Sequence, residues 1–141
     1  MSVRVERARE AMEAFGVHDY DRATALLTVD ASWSDIPAGS TIEGRDTVRG
    51  YMAEWHKAFS DAHVTNAKYT ELSDGRVLIE CTGEGRQSGQ FGPYPNTGGT
   101  FSLPSVLVYS FDDQDRISHI DLYYDTMTML TQLGHLQARA A

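Results

Sequence analysis

The residues of this chain best placed to do chemistry lie in Trp33-Ser34-Asp35-Ile36-Pro37-Ala38-Gly39, where a carboxylate falls among apolar side chains. Charge is disfavoured in such surroundings, which drives a carboxyl toward a pKa at which it can both take and return a proton. A group of that kind acts as general base at an activated carbon and as general acid elsewhere on the same substrate. Trp33 stands two residues before Asp35 on an extended piece, so it shares the aspartate's face and supplies a low-polarity wall. A loop-edge aspartate bonding local backbone fits the same residues, and both readings stand at this point.

Two more acids, Asp121 and Asp125, lie near the C-terminus. Asp125 precedes a helical run by one residue, where an N-cap is needed. His119 and Asp121 are two apart on a strand and are expected to share a solvated outer face without close contact. His56 reads as a helix-surface residue and His63 as a loop residue. No grouping has the spacing of a metal motif such as H-E-x-x-H, so no metal is expected. Gly83, Gly85 and Gly89 follow a strand, but no helix opens after them, which argues against a phosphate loop. A Gly-x-Ser-x-Gly elbow is absent too. The single Cys81 alternates with Val77 and Ile79 and reads as a small core residue.

These side chains need elements to position them. A first helix spans about residues 3–16, with Val5, Ala8, Met12 and Phe15 at helical spacing. Asp19 or Asp21 caps a short second helix through Ala23, Leu26 and Leu27. Residues 32–35 are extended, and Ile36-Pro37-Ala38-Gly39 breaks the strand. A third helix runs from about 46 to 59 and carries the stripe Val48, Tyr51, Met52, Trp55 and Phe59. Hairpins follow at 64–72 with 76–83, turning on Ser73-Asp74-Gly75, and at 100–111 with 116–124. Between them, residues 83–99 hold six of the twelve glycines and two of the four prolines. That stretch reads as a long pliable loop in which Phe91 and Tyr94 cover a pocket mouth. A last helix, 126–133, is stopped by Gly134.

Helices first, then antiparallel strands, then a short helix make an α+β protein of 141 residues, read as a single domain over 1–141. A strongly curved sheet around the helices leaves a conical hollow, and a chain this long buries about 68–70% of its unfolded surface. A net charge of −8 argues against nucleic acid and anionic membrane surfaces as partners. No signal peptide is recognisable and no apolar run nears a membrane span, so a cytoplasmic location is expected.

In order and spacing, these pieces resemble the SnoaL-like polyketide cyclases within the ketosteroid isomerase and nuclear transport factor 2-like superfamily. The residues that carry the resemblance are Asp19-Tyr20-Asp21 before Ala25-Leu26-Leu27, Asp30 to Asp35, and Glu43-Gly44-Arg45. They continue with Trp55 to Phe59 and Asp61, Cys81 to Gly85, Pro95 to Gly99, Tyr123-Tyr124-Asp125 and Gln132-Leu133-Gly134. The resemblance implies a conical α+β barrel, a homodimer, and cofactor-independent acid/base chemistry on a lipophilic oxygenated small molecule, as in aldol-type ring closure. It puts the proton-shuttling base at Asp35. The isomerases' oxyanion donors fall at Ala11 and Leu107, neither of which can donate from its side chain, so a steroid isomerase is disfavoured. An acid on the final strand falls near Leu122, beside Asp121. Alternation turns Ile120, Leu122 and Tyr124 toward the hollow, and a one-residue slip would bring Asp121 inward instead. The expected pocket comprises Phe15, Trp33, Tyr51, Trp55, Phe91, Tyr94, Leu107, Tyr109, Leu122 and Tyr124, with Asp35, Asp121 and Asp125 as candidate catalytic acids. An epoxide hydrolase using an inward Asp121, an isomerase, and a non-catalytic binding or protein-interaction module stay open as alternatives.

Overall fold

The computed structural model describes residues 2–137. Among them, four helices and six strands run in the order α1 (Val3–Gly16), α2 (Tyr20–Ala25), β1 (Leu27–Asp35), β2 (Ser40–Glu43), α3 (Arg45–Ala58), β3 (His63–Glu71), β4 (Val77–Arg86), β5 (Thr100–Phe111), β6 (Ile117–Tyr124) and α4 (Thr126–Leu133). Side-chain caps begin α1, α2 and α4: Ser2 accepts from the Val5 N–H, Asp19 from Arg22, and Asp125 from Met127 and Thr128. Asp21 lies inside α2 and so leaves the capping to Asp19.

The six strands form one curved, unclosed sheet in the order β2-β1-β6-β5-β4-β3. Two differences from the sequence reading concern β1. Leu27, expected in the second helix, opens the strand and pairs with Ile117 of β6, so tertiary pairing overrides the local helical spacing. The β1–β6 pairing is also parallel, whereas the other strand pairs are antiparallel. Tight turns impose antiparallel pairing on β3–β4 and β5–β6, but no hairpin joins β1 to β6 to set their direction. The short strand β2, not expected at all, returns beside β1 through a turn at Ile36–Gly39, with Gly39 at φ +67°. Asp35 therefore ends a strand and begins a turn.

The helices α1 and α3 pack on one face of the sheet around a core that includes Ala8, Val48, Met52, Ile79, Tyr109 and Ile120. Arg4 ties α1 to both distal turns: its guanidinium donates to Asp115 at 2.6 Å, to the Gly75 carbonyl at 2.9 Å and to the Asp112 carbonyl at 3.2 Å.

The register of β6 is unambiguous. Leu107 pairs with Leu122 and Tyr109 with Ile120 on the helix side, while Val108 pairs with Asp121 and Ser110 with His119 on the outer side. The one irregularity on this edge falls between Ser110 and Phe111, next to the turn, so it does not reach Asp121. On the outer face the two side chains do touch, contrary to the sequence expectation. His119 Nε2 lies 2.8 Å from Asp121 Oδ1, and Ser32 of β1 holds the other ring nitrogen at 2.6 Å. The neighbouring strand leans the imidazole along β6 into reach of the carboxylate.

The connection from Gln87 to Gly99 is ordered rather than pliable. Gln87, only 1% exposed, donates to the carbonyls of Gly89, Tyr94 and Pro95 and accepts from Thr97. Gly89 fits where any β-carbon would lie 2.3 Å from the Lys57 carbonyl, and its N–H donates to Ala58. A buried amide with its hydrogen bonds made on several sides fixes the loop much as a small core would.

Candidate functional site

Between the helices and the sheet lies a cavity of about 100 Å³. Phe15, Trp33, Trp55, Leu107, Tyr109, Leu122 and Tyr124 line it, together with Ala11 and Met52. The two positions matched to oxyanion donors, Ala11 and Leu107, are thus part of an apolar wall. Charged side chains enter at one end only, where His63 and Glu84 pair across β3 and β4 with 3.6 Å between them. Thr65 donates to the same glutamate at 2.9 Å. His63 opens β3 rather than lying in a loop, and this pairing was invisible until the strand register was known.

Asp35 does not line that cavity. It opens on an adjacent recess of about 190 Å³ formed with Tyr51, Glu54, Trp55, Ala58, Gln90, Phe91 and Gly92. Trp55 is the one residue common to both linings. The Asp35 side chain is 6% exposed. Its Oδ2 accepts from the Tyr51 hydroxyl at 2.6 Å and its Oδ1 from the Ala38 N–H at 3.2 Å. Among the described residues no basic side chain forms an ion pair with it. Burial, reinforced by the hydrogen bond to Asp35, holds the Tyr51 phenol well above its ordinary range, so it remains a donor. Burial likewise raises Tyr124, and the Asp35 charge adds to the effect.

An aromatic frame joins the two spaces. Trp33 and Tyr51 lie 5.3 Å apart between ring centres, Tyr51 meets Trp55 edge-on at 6.3 Å, and Trp55 contacts Tyr124 at 5.8 Å and Phe91 at 5.6 Å. Tyr51 and Phe91 therefore wall the recess rather than the cavity. Tyr94 lines neither; it packs on Phe91 and on His135 at 4.9 Å, where it buttresses the loop.

The other two candidate acids lie apart from both spaces. Asp121 is on the outer face with His119 and Ser32, so the second inward acid that an epoxide hydrolase would need is not assembled there. Asp125 caps α4; its bonds from Thr128 and Met127 hold the carboxyl below the usual range. Cys81 is buried, and desolvation raises its thiol to about 11, which keeps it protonated and unreactive.

His56 departs from its surface reading: it is 6% exposed, between Phe15 at 4.4 Å and His18 at 3.7 Å. The Tyr20 hydroxyl donates to Nδ1, and Nε2–H donates to the Ala62 carbonyl at 3.0 Å. Burial lowers its pKa, so the ring is held neutral. The signal was in the sequence: Val48, Met52 and His56 are four residues apart on the buried stripe of α3.

No helix among the described residues is long and apolar enough to cross a membrane, and no metal-binding group of three or more His, Cys, Asp or Glu occurs among them. No curated protein sequence matches the chain. Solved structures do. A candidate polyketide cyclase from Pseudomonas putida KT2440 is 20% identical, with 95% of this chain and 100% of that one covered at a TM-score of 0.86. A candidate SnoaL-like polyketide cyclase from Shewanella denitrificans OS-217 is 18% identical over 94% and 98%, at 0.82. A hypothetical protein with a ketosteroid isomerase-like fold from Catenulispora acidiphila DSM 44928, in complex with trimethylamine, is 23% identical over 92% of each chain, at 0.77. These likenesses establish the fold. The SnoaL-like domain matches residues 8–120, most of the helices and all six strands in whole or part, and the chain belongs to that family.

Proposed function

We propose that the protein moves a proton on a lipophilic, oxygenated small molecule, with Asp35 as the base and without a metal or organic cofactor. Aldol-type ring closure is the favoured reaction. The observation that carries this reading is a buried carboxylate, gripped by Tyr51 and the Ala38 N–H and without an ion-pair partner among the described residues, one tryptophan away from an apolar cavity. In this scheme the substrate's apolar body rests against Trp55 and its activated carbon sits beside Asp35. The carboxylate takes a proton from the carbon next to a carbonyl, and the C–H electron pair spreads into that carbonyl as an enolate. The enolate carbon bonds to a second carbonyl carbon of the same molecule. The oxygen formed there recovers the proton from Asp35, which ends the cycle as a carboxylate. Tyr51 occupies Oδ2 throughout, and the transfer falls to the lone pair of Oδ1 that the Ala38 N–H leaves unused.

The test is hydrogen–deuterium exchange beside the carbonyl in a panel of small cyclic ketones, followed by NMR in D2O. Wild-type protein is expected to accelerate exchange, and Asp35→Asn to lose about 10²–10⁴-fold of that acceleration. Equal rates for the two proteins would remove Asp35 from the mechanism. A second reading, a binding module that holds a ligand without turning it over, draws on the separation of Asp35 from the cavity. It predicts ketone binding with no exchange in either protein.

A further inference from the structure

Three aromatic side chains, Tyr51, Trp55 and Phe91, line the recess on which Asp35 opens. The Asp35 hydrogen bonds come from a phenol and a backbone N–H, neutral donors that use two of a carboxylate's roughly four acceptor sites and cannot cancel its charge. Buried charges are normally paired, yet among the described residues no basic side chain forms an ion pair with this one. Glu54 adds a second carboxylate to the lining, exposed and bonded to Lys57 at 2.9 Å. Lys57 does not itself line the recess, and an ion pair so exposed to water is weak. Aromatic rings are poor company for an anion and good company for a cation, because the ring face carries partial negative charge. The acids and the rings therefore ask for the same guest, a cation with an apolar skin. A hard metal ion is a poor match, since it takes six or more oxygen ligands and no three His, Cys, Asp or Glu gather among the described residues.

We propose that the recess binds the methylated ammonium group of a small organic amine, with Asp35 as its counter-charge and Tyr51, Trp55 and Phe91 as its apolar walls. The space, about 190 Å³, is larger than the neighbouring cavity of about 100 Å³. Ala58 and Gly92 are small members of the lining and leave room between the rings. The cation is confined to the recess, because the cavity beyond Trp55 would strip its water and return no paired charge. The walls are fixed in advance: Trp55 packs on Tyr51, Phe59, Phe91 and Tyr124, and the Phe91 backbone pairs with Tyr94 inside the ordered loop. A net charge of −8 draws cations toward the whole surface. Ammonium binding goes beyond the proton-transfer reading and does not rest on it. The two draw on one carboxylate, so a bound ammonium ion keeps a ketone carbon away from Asp35.

The probes are choline and 3,3-dimethylbutan-1-ol, alike in shape and different in the charge at the branched centre. In NMR titrations of ¹⁵N-labelled wild-type protein, choline is expected to bind about 10–30-fold more tightly, the worth of a cation held against partly desolvated rings. The chain's two tryptophans give two indole N–H signals, and choline should move that of Trp55 more than that of Trp33, which lines only the cavity. The preference for choline should fall about 10-fold in Asp35→Asn and about 2–5-fold in Phe91→Leu. Equal affinity for the two probes overturns the inference, as does a failure of both to bind. A preference unchanged in Asp35→Asn, or a larger shift at Trp33, overturns it too. Should Asp35→Asn fail to fold, Phe91→Leu and the wild-type shifts decide. Choline should also inhibit ketone exchange competitively, and exchange that continues with choline saturating the protein rules out a shared carboxylate. Ketone exchange in a protein that ignores choline sinks this inference alone. Choline binding in a protein that exchanges no ketone sinks the proton-transfer reading alone.

Discussion

The cavity and the recess share one tryptophan and almost nothing else. On one side of Trp55 the walls are hydrocarbon and aromatic rings with charge confined to the His63–Glu84 end; on the other, a buried carboxylate is held by a phenol and a backbone N–H. An apolar chamber can select a guest by size and shape, but it cannot transfer protons. A buried carboxylate can transfer protons, but alone it offers little to bind. On the proposed reading, their meeting at Trp55 divides binding from chemistry while keeping the two within reach of one molecule.

The sharpest way to break this contrast is Asp35→Asn. Exchange should fall by about 10²–10⁴-fold while affinity for a small ketone, measured by NMR titration, stays within about two-fold. Trp55→Ala removes the partition itself. Urea unfolding should reveal a loss of about 3 kcal/mol, and larger cyclic ketones should bind more tightly than to the wild type. An unaltered size preference would mean that the two spaces do not join through this residue. Tyr51→Phe tests the recess alone: it leaves Oδ2 without its donor, and we expect a loss of about 10-fold in exchange and about 1–2 kcal/mol in stability. Full activity in that variant would reduce the phenol to packing. Asp125→Ala lies outside both spaces, so its melting temperature should drop by about 2–4 °C with exchange unchanged. Loss of exchange there would give Asp125 a role beyond its cap.

The smallest expected effect is on pH dependence, behind the cavity wall. His56 is buried neutral, with its folded pKa below the ordinary 6.5. The unfolded chain then binds a proton that the folded one refuses. The contribution to stability is therefore present above about pH 6.5 and is lost as pH falls toward the lowered folded value. Urea midpoints at about pH 7.5 and pH 5.5 should differ less in His56→Gln than in the wild type. Equal differences would show that His56 does not carry this dependence.

Much was legible before any coordinates. Apolar spacing located α1 and α3; Asp19 marked the start of α2, Asp125 and Gly134 the two ends of α4; and polar turns divided β3 from β4 and β5 from β6. Those signals are local, carried by residues within a few positions of one another, and a chain always holds its near neighbours close. The apolar setting of Asp35 was equally local, and the carboxylate is buried. What required the tertiary structure was every relation across distance. The parallel meeting of β1 with β6 depends on two segments some ninety residues apart, as does the touch of Ser32 on His119. The ordering of the glycine-rich loop depends on one buried glutamine whose partners on either side cannot be inferred from composition. Above all, sequence placed Asp35, Tyr51, Trp33 and Trp55 in one pocket, whereas the packing of α3 against β1 divides them between two. Alternation on a strand says which face a side chain takes, but only the neighbouring helix decides which side of its own tryptophan that face will see.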